Sequence, residues 1–388
     1  MLWGRLDLAN VDQMDFSEDE AGRLALRSDD LLVCEGGEVG RTAVWHHEIP
    51  NCLYQNHLHR LRAKTPHVHP EFVMYWMQAA LLHLGLYGGM ANKTTIPNLS
   101  GGRLKNLPIP LPKLNEQQAI AGVLTKIQAA LQTQHVTIAK LKALKAATMA
   151  KLFREGLRGE PLKQTEIGEI PESWLITRLD DLANDPSGFI QTGPFGSQLH
   201  ASDYVTDGIP IVNPTHLEGD RIQHANIPRI SHSDGVRLQR HKLKAGDILF
   251  SRRGDVGRHA HVFPSEAGWL CGTGCLTIRP RQGAISSLYL SYYLSTPAAQ
   301  EFLRSHAVGS IMPNINTKTL ASVPVGVPSP EDQARIADVL RELDERIQAA
   351  REKQRWLSVL FSSALTFLMT GQLRTIQETQ DPAGQETL

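Results

Sequence analysis

The sequence predicts two globular domains of the α/β or α+β class, held apart by two long antiparallel coiled-coil helices in a pseudo-two-fold repeat. Three observations support this fold class. The chain has 388 residues, roughly two to three times the usual domain size of about 100–150 residues. Its two halves resemble each other at a fixed spacing. Each half also contains a long proline-free segment with a heptad pattern of apolar residues.

The internal repeat is clearest where residues 30–43 (DLLVCEGGEVGRTA) align with residues 247–260 (DILFSRRGDVGRHA), with seven of 14 positions identical. A second match, at six of 14 positions, pairs residues 111–124 with 327–340. Matches at nearly the same spacing indicate two copies of one unit. At that spacing residues 174–217 have no counterpart in the first half, so we expect a first domain that is shortened at its N-terminus.

Each copy ends in a helix, predicted over residues 115–153 and 331–369. At about 1.5 Å per residue, such a helix is roughly 58 Å long. Apolar residues recur at alternating spacings of four and three, a pattern typical of a coiled-coil seam, although an ordinary core helix in each domain is the alternative. A narrow seam needs a partner, and the other copy, returning antiparallel, is the nearest candidate. Lys145 also falls on a seam position; the predicted apolar seam consists of Ile120, Leu124, Ile127, Leu131, Ile138, Leu141, Ile336, Leu340, Leu343, Ile347, Leu357 and Phe361.

These patterns divide the chain into six segments. Proline-rich stretches, PIPLPKLNEQ and PVGVPSPEDQ, end the last strand of each copy and precede its helix. We expect a first domain over residues 1–113, a central helix over 114–158, a linker over 159–173, a second domain over 174–330, a C-terminal helix over 331–374 and a flexible acidic tail over 375–388.

Composition argues against several classes of protein. Lys plus Arg and Asp plus Glu both number 40, so the chain is not a uniformly basic nucleic-acid coat. With four cysteines, no signal peptide and no long apolar run, we expect a cytoplasmic protein that has no membrane association. The absence of a G-x-x-x-x-G-K-[ST] phosphate loop argues against an NTP-driven motor. Asn213-Pro214-Thr215 is interpreted as a turn, because it lacks the second proline and the aromatic residue of an amino-methyltransferase motif.

Histidine pairs with one residue between them could place two imidazoles on one face of a strand. The pairs are His57 with His59 and His67 with His69. Because the other copy has no metal ligands at the equivalent positions, we predict no metal site. Cys271 and Cys275 lack a second pair and have the wrong spacing for a zinc knuckle.

A local excess of positive charge favours nucleic-acid binding. Residues 221–281 contain 11 Lys or Arg residues against four acidic residues, and five histidines are expected to add to this charge. Such an excess is typical of a phosphate-binding face, with a solvated charged surface as the alternative. Arg252 and Arg253 lie in a Ser-Arg-Arg-Gly turn, and arginine can bind guanine O6 and N7 together.

Several stretches resemble the specificity (S) subunit of type I restriction-modification systems. They are TEIGEIPESW (residues 165–174), QTGPFGSQL (191–199), GDILFSRRGDVGR (246–258) and the helix starts NEQQAIAGVL and EDQARIADVL. The resemblance covers nearly the whole chain up to about residue 376. It implies a non-catalytic reader of duplex DNA, with two target-recognition domains that each bind one half of a bipartite site.

The resemblance also implies partners. Two modification subunits, which bind S-adenosylmethionine and methylate adenine, would dock on the helices, and restriction subunits with ATP and Mg would join in some complexes. This chain itself is expected to bind no cofactor. A related methyltransferase-nuclease system without a separate motor is one alternative, and a coiled-coil scaffold that binds only protein is another.

Two groups of residues are the candidate DNA contacts. The first comes from the Gly-Pro-Phe-Gly loop of the resemblance, and the second from the basic window. Lys242, Lys244 and Arg258 are predicted to contact phosphate, which positions a protein without specifying sequence. Within the loop, a glutamine or serine could read base edges, and an ordinary scaffold loop that does not touch DNA is the alternative. Arg252 and Arg253 are the second choice for base contacts. The other candidate DNA-binding residues are Thr192, Gly193, Phe195, Ser197 and Gln198.

Overall fold

The computed structural model describes residues 1–55, 57–86, 98–184, 187–196, 198–255, 257–307 and 314–375. The chain forms two compact units, one of residues 1–138 with 350–388 and the other of residues 139–349. These units divide both long helices, whereas the sequence-based segments treat each helix as separate from the domains. Among the described residues, no helix has the length and hydropathy needed to cross a membrane.

The first unit is built around a three-stranded antiparallel sheet, in which the central strand is the first along the chain, and a helix rich in buried residues packs against it. Its apolar core includes Phe72, Tyr75 and Met77 from that helix. The elements are α1 (Glu18–Leu24), β1 (Asp30–Cys34), β2 (Thr42–Trp45), β3 (Leu58–Leu61), α2 (Pro70–Leu82), α3 (Gly101–Lys105) and α4 (Leu114–Glu155).

The second unit contains the remaining strands and helices. Short 3-10 helices cover Ala201–Asp203, Pro214–His216, Gln239–His241 and Pro264–Glu266. The other elements are β4 (Leu162–Thr165), β5 (Gly168–Pro171), β6 (Leu175–Arg178), α5 (Leu179–Ala183), β7 (Phe189–Thr192), β8 (Tyr204–Val205), β9 (Ile209–Val212), β10 (Leu217–Glu218), β11 (Arg221–Ile222), β12 (Arg229–Ile230), α6 (His232–Arg237), β13 (Ile248–Ser251), β14 (His259–His261), β15 (Leu270–Cys271), β16 (Cys275–Arg279), α7 (Ser287–Leu294), α8 (Pro297–Ser305), α9 (Thr317–Ala321), β17 (Pro324–Val327) and α10 (Pro330–Met369), which continues into the first unit.

The internal repeat is visible in the strand register. Leu31 of β1 lies opposite Val44 and Leu61, and the equivalent Ile248 of β13 lies opposite His261 and Ile278. The sheet of the second unit that corresponds to β2-β1-β3 has one strand more, and its order is β14-β13-β16-β7. The unit also contains another four-stranded sheet, β15-β9-β12-β8, in which β15 runs parallel to β9, and the two-stranded sheets β10-β11, β17-β6 and β4-β5.

An ion pair with a buried carboxylate is also repeated. In the second unit, Arg279 donates from Nε and Nη2 to the two carboxylate oxygens of Asp247, at 2.7 and 2.6 Å. In the first unit, Arg62 binds Asp30 in the same way, at 2.6 Å for both bonds. Each carboxylate ties the start of its central strand to the end of a neighbouring strand, which explains why these residues recur at the repeat spacing.

The long helices pack antiparallel in both units. In the first unit, Leu124 near the start of α4 shares a core with Leu368 near the end of α10. In the second unit, Phe153 at the end of α4 shares a core with Leu340 near the start of α10. All twelve predicted seam residues are buried or half-buried. The predicted fold class of two globular domains and two long helices is therefore confirmed.

The segment that the sequence suggested as a linker has a regular structure. Within residues 159–173, β4 and β5 form an antiparallel hairpin. Ile170 is 2% exposed and packs in the same core as Trp174. Because an apolar residue holds it against the core, this segment is part of the second unit rather than a free connection.

Candidate nucleic-acid interface

Several loops of the second unit meet at one end of the β14-β13-β16-β7 sheet. Strands β7 and β13 end there, at Thr192 and Ser251, while the antiparallel β16 and β14 begin there, at Cys275 and His259. The loop after β7 and the turn after β13 therefore lie at the same end of the sheet, on either side of the start of β16. We call this end of the sheet the loop end. The two groups of predicted base contacts, which are far apart in sequence, come together here.

The loop after β7 has a tightly packed base and an exposed tip. Gly193 is buried, and a Cβ atom at this position would lie 2.1 Å from the carbonyl oxygen of Gly272, so the residue allows two backbones to approach. Phe195 is 53% exposed. The Gln198 side chain is half-buried, and its Oε1 accepts a hydrogen bond from the Phe195 amide at 3.2 Å. Thr192 is half-buried, and Ser197 lies outside the described residues.

The turn after β13 is held by its backbone and presents its arginine side chains. The Arg252 amide donates to the Gly274 carbonyl at 2.8 Å, and the Arg252 carbonyl accepts from the Ile315 amide at 3.0 Å. The side chain of Arg253 is exposed, whereas Arg252 is half-buried. Arg258 pairs with Asp255 at 2.9 Å, so part of its charge is neutralised within the turn.

Two predicted phosphate contacts lie at the other end of the sheet. The Lys244 amide donates to Asp247, which precedes β13, and the Lys242 carbonyl accepts from Arg279 at the end of β16. A four-residue strand separates these lysines from the loop end by about 10 Å or more. The structure thus gathers Thr192, Gly193, Phe195, Gln198, Arg252, Arg253 and Arg258 at the loop end, but not Lys242 or Lys244.

Sequence reasoning missed a third loop at the loop end. The Gly272 amide donates to the carbonyl of Val212, and a Cβ atom at Gly274 would lie 3.3 Å from the Pro214 ring. Residues 213–216, interpreted from the sequence as a turn, therefore sit beside the glycines of residues 272–274, with Thr215 exposed. The parallel pairing of β9 with the two-residue β15 brings them there, and so short a strand leaves no readable pattern in the sequence.

The first unit contains the same scaffold with different side chains. The Glu35 amide donates to the His57 carbonyl, and the Glu35 carbonyl accepts from the Leu99 amide, just as Arg252 bonds with Gly274 and Ile315. Glu35 and Gly36 thus occupy the places of Arg252 and Arg253. His59 Nε2 lies 2.6 Å from the Leu99 carbonyl, so this ring has a structural partner. Among the described residues, no three His, Cys, Asp or Glu side chains form a metal-binding group.

Two of the five histidines of the basic window differ from the expectation that they add positive charge. Burial, and then the charge of Arg240, lowers the pKa of His241 to about 4. Burial likewise lowers the pKa of His261 to about 4, with Arg221 adding to the effect and Glu266 opposing it. Both rings are neutral at physiological pH, so these two histidines add no positive charge to this region.

These two histidines predict how stability depends on pH. The folded pKa of about 4 lies below the ordinary value of 6.5, so between these pH values the unfolded chain binds protons that the folded protein does not. Stability should therefore fall as the pH drops from 6.5 toward 4. His261→Gln can keep a hydrogen bond to Ser287 Oγ. It should reduce the slope of unfolding free energy against pH by up to the contribution of one bound proton. An unchanged slope in urea titrations at several pH values would contradict this prediction.

The comparisons with known proteins agree with this architecture. Residues 8–143 and 171–355 match the family model of the type I restriction modification DNA specificity domain. A putative type I restriction enzyme MjaX specificity subunit from Methanocaldococcus jannaschii is 25% identical over 93% of this chain and 82% of its own length. The EcoBI specificity subunit from Escherichia coli is 23% identical over 81% of this chain and 66% of its own length.

Solved structures show the same fold. The S subunit of a type I restriction-modification system from M. genitalium superposes with a TM-score of 0.61, at 18% identity, over 89% of this chain and 84% of that one. A structure described as the basis of complex assembly and conformational transition in a type I system has a TM-score of 0.52, at 19% identity, over 90% and 83% of the two chains.

Proposed function

Because this chain belongs to the type I restriction-modification DNA specificity family, we propose that it reads the DNA sequence for a type I restriction-modification complex. The observation that carries this proposal is the convergence at the loop end, where residues 193–196, 213–216, 252–255 and 272–274 meet with Arg253 exposed among them. Loops held at the end of a rigid sheet can present side chains to a DNA groove at fixed positions.

We further propose that the target is bipartite. The repeat supplies one scaffold per half-site, and the different residues at its tip, Glu35 and Gly36 against Arg252 and Arg253, would let each unit prefer a different sequence. The heptad pattern of the two long helices is typical of a stiff coiled coil, which would favour one distance between the half-sites.

The remaining roles of the complex belong to partners in this proposal. The chain would be non-catalytic, would act in the cytoplasm, and would dock two modification subunits along its helices. S-adenosylmethionine would bind to those subunits, and ATP and Mg to restriction subunits where these are present. The names of the relatives, all specificity subunits of type I restriction enzymes, and the assembly described for one solved structure support this division of labour.

Replacing Arg253 by alanine tests the proposal. If its guanidinium reads a base, Arg253→Ala should lower discrimination at one base pair by about 1–3 kcal/mol while other positions keep theirs. Lys244→Ala, an exposed change at the opposite end of the sheet, is the matched control and should leave discrimination unchanged. Fluorescence anisotropy with duplexes selected by the wild-type protein, over a salt series, measures both. An equal loss on all sequences would make Arg253 a phosphate contact, and wild-type binding without any sequence preference would refute the proposed function.

A further inference from the structure

Lys145 is a charged residue at a seam position of α4, where the heptad pattern calls for an apolar side chain. Its side chain is 15% exposed, and its ammonium group binds two carboxylates at once. The Nζ–Oδ2 distance to Asp220 is 2.9 Å, and the Nζ–Oδ1 distance to Asp344 is 2.8 Å. Asp344 lies on α10 and Asp220 in the globular part of the second unit, so one side chain joins both helices to the domain.

Asp220 is presented by a tight turn. Strands β10 and β11 are joined by Gly219 and Asp220 alone, and both residues have positive φ, 55° and 67°. This is the geometry of a type I′ hairpin, which aspartate tolerates better than most residues. The Asp220 carbonyl also accepts from the amide of His261, on the strand that follows the arginine turn. The hairpin therefore connects Lys145 to the scaffold of the loop end.

The carboxylates of Asp220 and Asp344 have further partners besides Lys145. Asp220 Oδ1 accepts from Ser295 Oγ at 2.6 Å, and His259 Nε2 lies 3.7 Å from the same oxygen. Asp344 Oδ2 accepts from the Tyr292 hydroxyl at 2.8 Å. Burial acts against the charge of Lys145, but the two carboxylates outweigh it and raise the pKa of the amine. Burial also opposes ionisation of Asp220, yet His259 and Lys145 hold its pKa below the usual value.

The first unit has uncharged residues at the positions equivalent to this ion network. At the equivalent place the Tyr75 hydroxyl donates to Gln128 Oε1 at 2.7 Å, and Gln128 Nε2 donates to the Trp3 carbonyl at 2.9 Å. Phe361 takes the position of Lys145, with its ring 6.2 Å from that of Tyr75 in an edge-on contact. The repeat scaffold therefore does not require the charges. A buried ion network adds little net stability, but it tolerates few geometries, because any displacement leaves a charge unpaired.

We propose that Lys145 is a positioning residue, which holds the second recognition domain at one orientation on the two helices and thereby sets the half-site spacing that the protein accepts. This inference rests on the proposed function. An apolar contact would allow small rotations of the domain, whereas the ammonium between Asp220 and Asp344 does not. One base pair more or less in the DNA spacer moves a half-site by about 3.4 Å and turns it by roughly a tenth of a helical turn. A domain held in one orientation rejects such a shift.

Three variants of the full-length protein separate positioning from stability. Lys145→Met leaves two buried carboxylates without their cation, so it should lower the thermal midpoint. The triple variant Lys145→Met, Asp220→Asn, Asp344→Asn removes all three charges and should regain most of that loss, since asparagine also tolerates positive φ. Tyr292→Phe removes only the hydrogen bond to Asp344 and provides a milder change. Lys142→Met, an exposed lysine on the same helix, is the matched control.

The measurement is binding to duplexes that carry the half-sites selected by the wild-type protein, with the spacer unchanged or altered by one base pair. Wild type and Lys142→Met should prefer the natural spacer by about tenfold or more, a difference similar to that of one mismatch. The folded triple variant should keep the half-site sequences but lose most of this preference, and Tyr292→Phe should lie between.

Three results would overturn the inference, and they can be told apart. If the triple variant and Tyr292→Phe keep the wild-type spacer preference, the network has only a structural role while the proposed function stands. If the wild-type protein selects a sequence but accepts all spacers equally, this inference fails and sequence reading still stands. If the wild-type protein selects no sequence, the proposed function fails, and this inference fails with it.

Discussion

Leu340→Asp should strongly destabilise the second unit of the protein. Leu340 is fully buried near the start of α10, in the core that also holds Phe153 of α4 and Trp174. An aspartate there loses the apolar packing and places an unpaired carboxylate in the core. We expect a loss of more than about 4 kcal/mol, a large part of the roughly 5–15 kcal/mol that stabilises an ordinary domain.

Leu144→Asp is the matched control, because Leu144 lies on α4 in the same unit and is 52% exposed. This change should alter stability by less than about 0.5 kcal/mol. Scanning calorimetry with limited proteolysis distinguishes the two units, since the first unit should still melt cooperatively in Leu340→Asp. A Leu340→Asp protein as stable as Leu144→Asp would show that α10 is not part of this core.

Asp247→Ala should destabilise the second unit by about 3–5 kcal/mol, the usual cost of removing one partner of a buried ion pair. The carboxylate is 1% exposed and receives two bonds from Arg279 and one from the Lys244 amide. Without it, the half-buried guanidinium of Arg279 has no counter-charge, and the start of β13 loses its bonds to the end of β16.

The repeat offers a comparison for this prediction. Asp30→Ala removes the equivalent carboxylate in the first unit, but Arg62 is 35% exposed against 18% for Arg279, so water can solvate the freed guanidinium. The loss there should be smaller. Urea unfolding of each single variant, and of Asp247→Leu with Arg279→Met, measures the difference. The double variant should recover part of the stability; a double variant as unstable as Asp247→Ala would indicate that packing, not charge, dominates at this site.

The long helices and the repeat were predicted well from the sequence. The expected bounds of 115–153 and 331–369 compare with Leu114–Glu155 and Pro330–Met369 in the structure. Heptad spacing and self-similarity are properties of the linear chain, so they can be read without knowing any contact. The family assignment is confirmed for the same reason, because it depends on ordered local stretches. The residue-level DNA contacts stay predictions.

What the sequence alone determined is thus the fold class, the twin units and the antiparallel helices. Only the tertiary structure decided that residues 193–196 and 252–255 meet at one end of a sheet, that residues 213–216 join them, and that Lys242 and Lys244 lie at the other end. It also decided that Lys145 meets Asp220 and Asp344. These neighbours depend on strand pairing and side-chain packing between distant segments, and such long-range contacts leave no periodic pattern along the chain.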